Sequence, residues 1–256
     1  MMKLYQFAIS HFCEKARWAL DYKLADYELI NLMPGLHILK TKTMAPATHV
    51  PLLQVSPRSG QKKSDALIVQ GSGEIITYLD DSINESPLTP VAPAEKEAAL
   101  EWEAYLDNML GIHVRRFCYY HFLQHKDLVL PLMTYGTPWY NKSLMKAGFA
   151  GVAKLMRKSM NITPATAEKS KTKILTALEK INKELSQSEF LVGDRFSRAD
   201  LTAASLIAPI LQPAEYGAPR PAAIPRGLVE FKELIAPQCG WALDCYRGYR
   251  GRPDLV

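Results

Sequence analysis

The chain has 256 residues, 48% hydrophobic and 22% charged, which suits one large core or two modest ones and excludes a disordered, collagen-like or coiled-coil protein. Its 31 basic and 26 acidic residues give a net charge of +5, with 9 and 8 of them in residues 1–82, so neither half offers the basic field that nucleic acid requires. No stretch approaches the roughly 18 apolar residues of a membrane span, and the N-terminus runs straight into a strand-like pattern, so a soluble, cytoplasmic protein is expected.

The first eighty residues alternate short β-rich runs with helical patterns, as a βαβ unit does. Residues 3–7 form a first predicted strand. Phe12, Ala16, Ala19 and Leu20 then recur on one helical face, and residues 27–31 make a second strand. After a variable, partly helical segment, residues 52–55 and 66–70 read as two strands joined across the turn-rich residues 56–60, a hairpin. Ser72 opens a helix to about Ser82, with Ile75, Ile76 and Leu79 on its apolar face. The predicted order is βαβ-α-ββα over residues 1–83.

Residues 84–93 contain three prolines, which no regular element tolerates, and mark a linker. Beyond it, residues 94–256 read as all-helical. One helix is expected over 94–126, with Leu100, Leu106, Met109, Leu110 and Phe117 on a face. Others are expected over 139–160, 169–185, 198–211 and 228–248, and residues 131–139 and 212–227 are irregular. At Ser197 a helix start is specified twice: Ser197 and Asp200 can form a capping box, and Phe196 and Leu201 a hydrophobic staple. The four cysteines, Cys13, Cys118, Cys239 and Cys245, are too scattered for a zinc or disulfide framework, so free thiols in a reducing compartment and no metal site are expected.

Four features in this order resemble the cytosolic glutathione transferase superfamily. They are the Ser10-x-x-Cys13 turn, Val50-Pro51 before a strand, the Ser72-x-x-Ile75-x-x-Tyr78-Leu79 helix, and the Gly193-Asp194 to Leu201 capping segment. The resemblance implies a thioredoxin-like domain that binds glutathione as co-substrate and a helical domain that lines a pocket for a small hydrophobic electrophile. It also implies a homodimer. The matching proline in relatives is cis and turns the preceding residue toward glutathione, so Val50 and Pro51 are expected at the binding site. Ser72, at a helix start, is expected to meet the γ-glutamyl carboxylate. The chain departs from the pattern one position earlier, where Gly71, preceded by Gln70, replaces an acidic residue. Either Gln70 takes part of that role or glutathione binds more weakly.

Chemistry at the first turn follows from the need for a thiolate. A thiol of ordinary pKa, about 8.5, is mostly protonated at neutral pH. Ser10 can donate to the sulfur while the free amides of the following helix add positive potential, so Ser10 is the expected thiolate stabiliser as well as a helix cap. Cys13 lies in the same field, which would lower its pKa. It is either a buried small residue or the nucleophile of a thiol reductase. His37, Lys40, Lys42 and His49 are candidates for the glycyl carboxylate. In the helix around residue 113, His113, Arg116 and Tyr120 form one stripe and Arg115 with Tyr119 another, and the first is expected to line the electrophile pocket. The third functional reading is a scaffold of the same fold that has lost catalysis.

Overall fold

A computed structural model of the protein describes residues 1–57 and 66–250. Strands β1 (Met2–Gln6), β2 (Tyr27–Asn31), β3 (Leu52–Val55) and β4 (Leu67–Gln70) form one mixed sheet in the order β2-β1-β3-β4. β1 runs parallel to β2, with Leu4 opposite Leu29, and antiparallel to β3, with Leu4 opposite Leu53. β3 and β4 form the expected hairpin, and residues 58–60 of its predicted turn lie outside the described residues. Helix α1 (His11–Tyr22) crosses between β1 and β2, the short α2 (His37–Thr41) precedes β3, and α3 (Ser72–Ser82) follows β4. This is the thioredoxin-like arrangement. Apolar side chains of the sheet and helices meet in it: Leu4 and Leu53 from the strands, Ala16, Ala19 and Leu20 from α1, Ile75, Ile76 and Leu79 from α3, all fully buried.

The rest is helical: α4 (Pro93–Leu106), α5 (Ile112–Phe122), α6 (Lys126–Met133), α7 (Trp139–Ser159), α8 (Pro164–Leu185), α9 (Arg198–Leu211), α10 (Arg226–Ile235) and α11 (Gly240–Tyr249). Four features of this half correct the sequence reading. The helix expected over 94–126 is broken by a π-turn, Asp107–Gly111, between α4 and α5. Helix α6 carries Pro131 inside it, so residues 131–133, expected to be irregular, are helical. The helix expected over 228–248 divides where Pro237 and Gly240 interrupt it. Helix α8 also starts five residues early, because Thr163 caps it, Pro164 takes its first position, and Thr166 completes the box.

Helix α9 is apolar on nearly every side and is buried accordingly, packed against α1, α4 and α11. Its predicted capping box forms: Asp200 Oδ2 accepts from the Ser197 amide at 3.0 Å, while Oδ1 accepts from Leu191 N–H at 2.8 Å. Burial pushes the Asp200 carboxyl up to about 6. Across the junction of sheet and bundle, Lys15 is fully buried between Glu103 at 2.7 Å and Asp107 at 3.0 Å. Arg198 bonds the other Glu103 oxygen at 2.5 Å and Thr89 at 3.0 Å. Paired burial of this kind fixes register between elements because breaking either partner strands a charge.

Candidate active site

The sheet and the bundle enclose between them a cavity of about 490 Å³. One wall comes from the first part of the chain: Phe7, Ser10, His11 and Phe12 at the β1–α1 junction, His37 from α2, and His49 and Val50 before β3. The other comes from the bundle: Arg115, Tyr119 and Phe122 of α5, Val129 and Leu132 of α6, and Val152, Leu155 and Met156 of α7. Gln212, Tyr216, Ala218 and Pro219 close one side, so the irregular segment after α9 covers the pocket.

Ser10 ends β1's loop and starts α1 with extended backbone, the geometry of an N-cap. Its Oγ accepts from the Cys13 amide at 3.4 Å, and its O–H donates to no group among the described residues. The amides of His11 and Phe12 lie in the first turn, where no intrahelical carbonyl reaches them. Beside Ser10 the His11 imidazole is held neutral: burial, helped by Arg115, lowers it to about 3, and its Nε2 pairs with the Gly111 carbonyl at 3.0 Å. Gly111 is required at that close approach, because a Cβ there would stand 2.6 Å from Phe12 Cζ. The π-turn thus brings α5 against the start of α1, and π-turns recur at functional sites.

Cys13 does not fit the role of nucleophile. It is fully buried and does not line the cavity, and burial pushes its thiol up instead of down. The helix field expected to ionise it is outweighed by desolvation. The Val50–Pro51 bond is cis, as expected, and Val50 lies in the wall. Gln70, Gly71 and Ser72 do not line the cavity. Gln70 Nε2 donates to the carbonyls of Ala47 and His49, both at 2.9 Å, and so anchors the segment that carries Val50. Gly71 has a φ of 108° and donates to Pro51 O at 3.0 Å, while a Cβ on it would collide with Glu74 Oε2. The Glu74 carboxylate therefore folds back over the N-terminus of α3, where Ser72 is buried. Of the four basic candidates, His37 and His49 line the cavity; Lys40 and Lys42 are exposed outside it.

On α5 the two stripes exchange roles. His113, Arg116 and Tyr120, expected in the pocket, do not line it. His113 Nδ1 meets Ser170 Oγ of α8 at 3.0 Å and Arg116 Nε donates to Met160 O at 2.9 Å. The other stripe, Arg115 and Tyr119, faces the cavity. Packing of α5 on α8 sets that rotation.

Sequence reasoning missed Glu14. Fully buried next to Cys13, it accepts from Arg250 Nε at 2.7 Å and pairs with Arg17 at 2.8 Å. Gly217 N–H, in the segment that closes the cavity, donates to it at 3.3 Å. Burial would raise the Glu14 carboxyl, but Arg250 and Arg17 overcome it and hold it at about 2. The Glu14–Arg17 spacing was readable; Arg250, more than two hundred residues away, was not.

Family models match at both ends of this arrangement: glutathione S-transferase, N-terminal domain, over residues 4–87, and glutathione S-transferase, C-terminal domain, over residues 144–228. The chain belongs to the glutathione transferase superfamily. No curated protein matches it. Among solved structures it is similar to a glutathione S-transferase from Rhodospirillum rubrum F11, with 20% identity, a TM-score of 0.61, and 99% of this chain and 89% of that one covered. It is also similar to the β-etherase LigF from Sphingobium sp. strain SYK-6, with 18% identity, a TM-score of 0.65, and 96% and 95% covered. A third, from Methylobacterium radiotolerans in complex with glutathione sulfonate, has 20% identity and a TM-score of 0.55, with 94% of each chain covered. Such likeness is to the transferase fold. Among the described residues, no helix is long and apolar enough to cross a membrane, and no cluster of three or more His, Cys, Asp or Glu could hold a metal ion.

Proposed function

We propose that this superfamily member is a glutathione transferase that holds the glutathione thiolate at Ser10 and directs it at an electrophile lying among α5, α6 and α7. The observation that carries the reading is Ser10 itself: a helix cap in the wall of a cavity shared by both halves, its acceptor side engaged by the Cys13 amide and its proton free to donate. A donor and a helix N-terminus aimed at one sulfur lower its pKa by about one to two units, each unit being about 1.36 kcal/mol. In the reaction the thiol proton leaves to solvent and the sulfur lone pair forms a bond to the electrophilic carbon. The leaving group departs with the bonding pair of the bond that breaks. Val50, held by the Gln70 anchor, supplies backbone N–H and C=O groups for the cysteinyl part of glutathione. The protein acts in the cytoplasm, as a homodimer.

The test is retention on immobilised glutathione followed by turnover of a chloronitrobenzene. The wild-type chain is retained, and Ser10→Ala is retained but turns over at least about tenfold more slowly. Flow-through of the wild-type chain overturns the reading. It would support the alternative, a non-catalytic relative, which one observation favours: Glu74 covers the helix start that Ser72 would offer to the γ-glutamyl carboxylate. The reductase reading through Cys13 loses its support with the burial of that thiol.

A further inference from the structure

The cavity wall contains a charge that the fold leaves unneutralised. Arg115 reaches it from α5, its guanidinium carbon 5.9 Å from the centre of the Phe12 ring. Its Nε is cut off from solvent and has no acceptor, and no carboxylate lines the cavity, among the described residues. The buried arginines elsewhere are treated differently: Arg17 and Arg250 share Glu14, and Arg198 has Glu103. A guanidinium keeps its proton even when burial depresses its pKa, as it does here, so a lone one in an apolar wall is costly until an anion arrives.

We propose that Arg115 receives a carboxylate carried by the second substrate, whose apolar body packs on Val129, Leu132, Val152 and Met156. The inference rests on the transferase reading of the same cavity and names the class of electrophile it takes: an amphipathic molecule with one anionic end. Guanidinium and carboxylate match as a two-pronged pair, and the largely apolar surround strengthens the bond. Glutathione is also an anion, and Arg115 stands 5.9 Å from the ring of Phe12, two residues from Ser10, so the KM for glutathione in each variant separates the two occupants.

The experiment compares 4-chloro-3-nitrobenzoate with its methyl ester. In both, the thiolate sulfur bonds to the ring carbon that bears chlorine, chloride leaves with the bonding pair, and the thiol proton passes to solvent. Rates are normalised to the spontaneous reaction. The wild-type chain favours the acid at least about tenfold in kcat/KM, and Arg115→Met brings the ratio of acid to ester to about one. Arg115→Lys keeps part of the preference, and the KM for glutathione stays unchanged in both variants. Equal losses for acid and ester, or a raised KM for glutathione, overturn the proposal. Arg115→Met melts no lower than the wild type, because it removes an unpaired charge; a lower melting temperature assigns Arg115 to the scaffold and overturns it too.

A binding arm needs no turnover. In equilibrium dialysis without glutathione, the wild-type chain binds the acid at least about tenfold more tightly than Arg115→Met does, and equal binding overturns the proposal. A chain that binds the acid through Arg115 but flows through immobilised glutathione keeps this inference and loses the transferase reading. One that retains glutathione and ignores the carboxylate loses this inference alone.

Discussion

The arginines behind the cavity's closing segment and the arginine in its wall differ in their partners. Behind the closing segment, Arg17 and Arg250 converge on the fully buried Glu14, which also accepts from the Gly217 amide. On α5, Arg115 faces the cavity with no counter-ion among the described residues. The first set is saturated within the protein and can only hold structure. It ties α1, which carries Ser10, to the segment that covers the pocket and to the residue after α11. The second is left open toward the site of chemistry. Where a buried charge finds its partner separates scaffold from binding surface more sharply than burial does.

The comparison breaks most visibly if Glu14 is removed. Glu14→Ala leaves Arg17 with no carboxylate partner among the described residues and Arg250 with Asp21 alone, and costs about 3–5 kcal/mol of stability, read from urea denaturation. Arg115→Met, by the same measurement, costs nothing.

Acid titration sharpens the same contrast. The Glu14 carboxyl falls from an ordinary 4.5 to about 2 in the folded chain, so the stability it contributes is fully present above about pH 4.5 and is lost as pH falls toward 2. Asp200 works in the opposite sense. Its folded value, about 6, lies above the ordinary 3.8, so its contribution is fully present below 3.8 and is lost as pH rises through 6. In Glu14→Gln the loss between pH 4.5 and 2 disappears while the Asp200 slope remains, as denaturation at stepped pH should show.

A smaller effect is expected at the contact between α1 and the π-turn. Gly111→Ala puts a methyl 2.6 Å from Phe12 Cζ and about 3.1 Å from Leu206, costs about 1–3 kcal/mol in thermal melts, and slows turnover by displacing Phe12 beside Ser10. The smallest effect belongs to the exposed pair Arg226–Glu230 on α10. Glu230→Ala changes stability by less than about 0.5 kcal/mol, and a larger change would mean that exposed pairs here rival buried ones.

The order of elements and the helical second half were legible because β-rich runs and helical periodicity differ plainly in the chain. The N-cap at Ser10 was legible because its physics is local. Rotation of α5 was not. A π-turn inserts one residue, and one residue turns a helix by about 100°, so periodicity counted through α4 does not fix which side of α5 meets the cavity. Leu106, Leu110 and Phe117 of the predicted face are buried, whereas Leu100, about 240° round α4 from Leu106, is exposed. With aromatic and basic groups on both faces of residues 113–121, periodicity alone could not choose, and the choice fell to packing against α8. The π-turn has no sequence signature beyond Gly111, whose need for space comes from Phe12, distant in the chain. Cys13 misled for a related reason: the helix field is local and readable, whereas the burial that outweighs it depends on how α1 packs on its neighbours.

The central claim is that a glutathione sulfur is ionised beside Ser10. Ultraviolet absorbance of the bound thiolate, followed across pH in the wild-type chain and in Ser10→Ala, tests it most directly. The account predicts that the bound thiol titrates at least about one unit below 8.5 in the wild-type chain and returns toward 8.5 in the variant. An unshifted titration in the wild-type chain, or a shift that survives the loss of the hydroxyl, would contradict it.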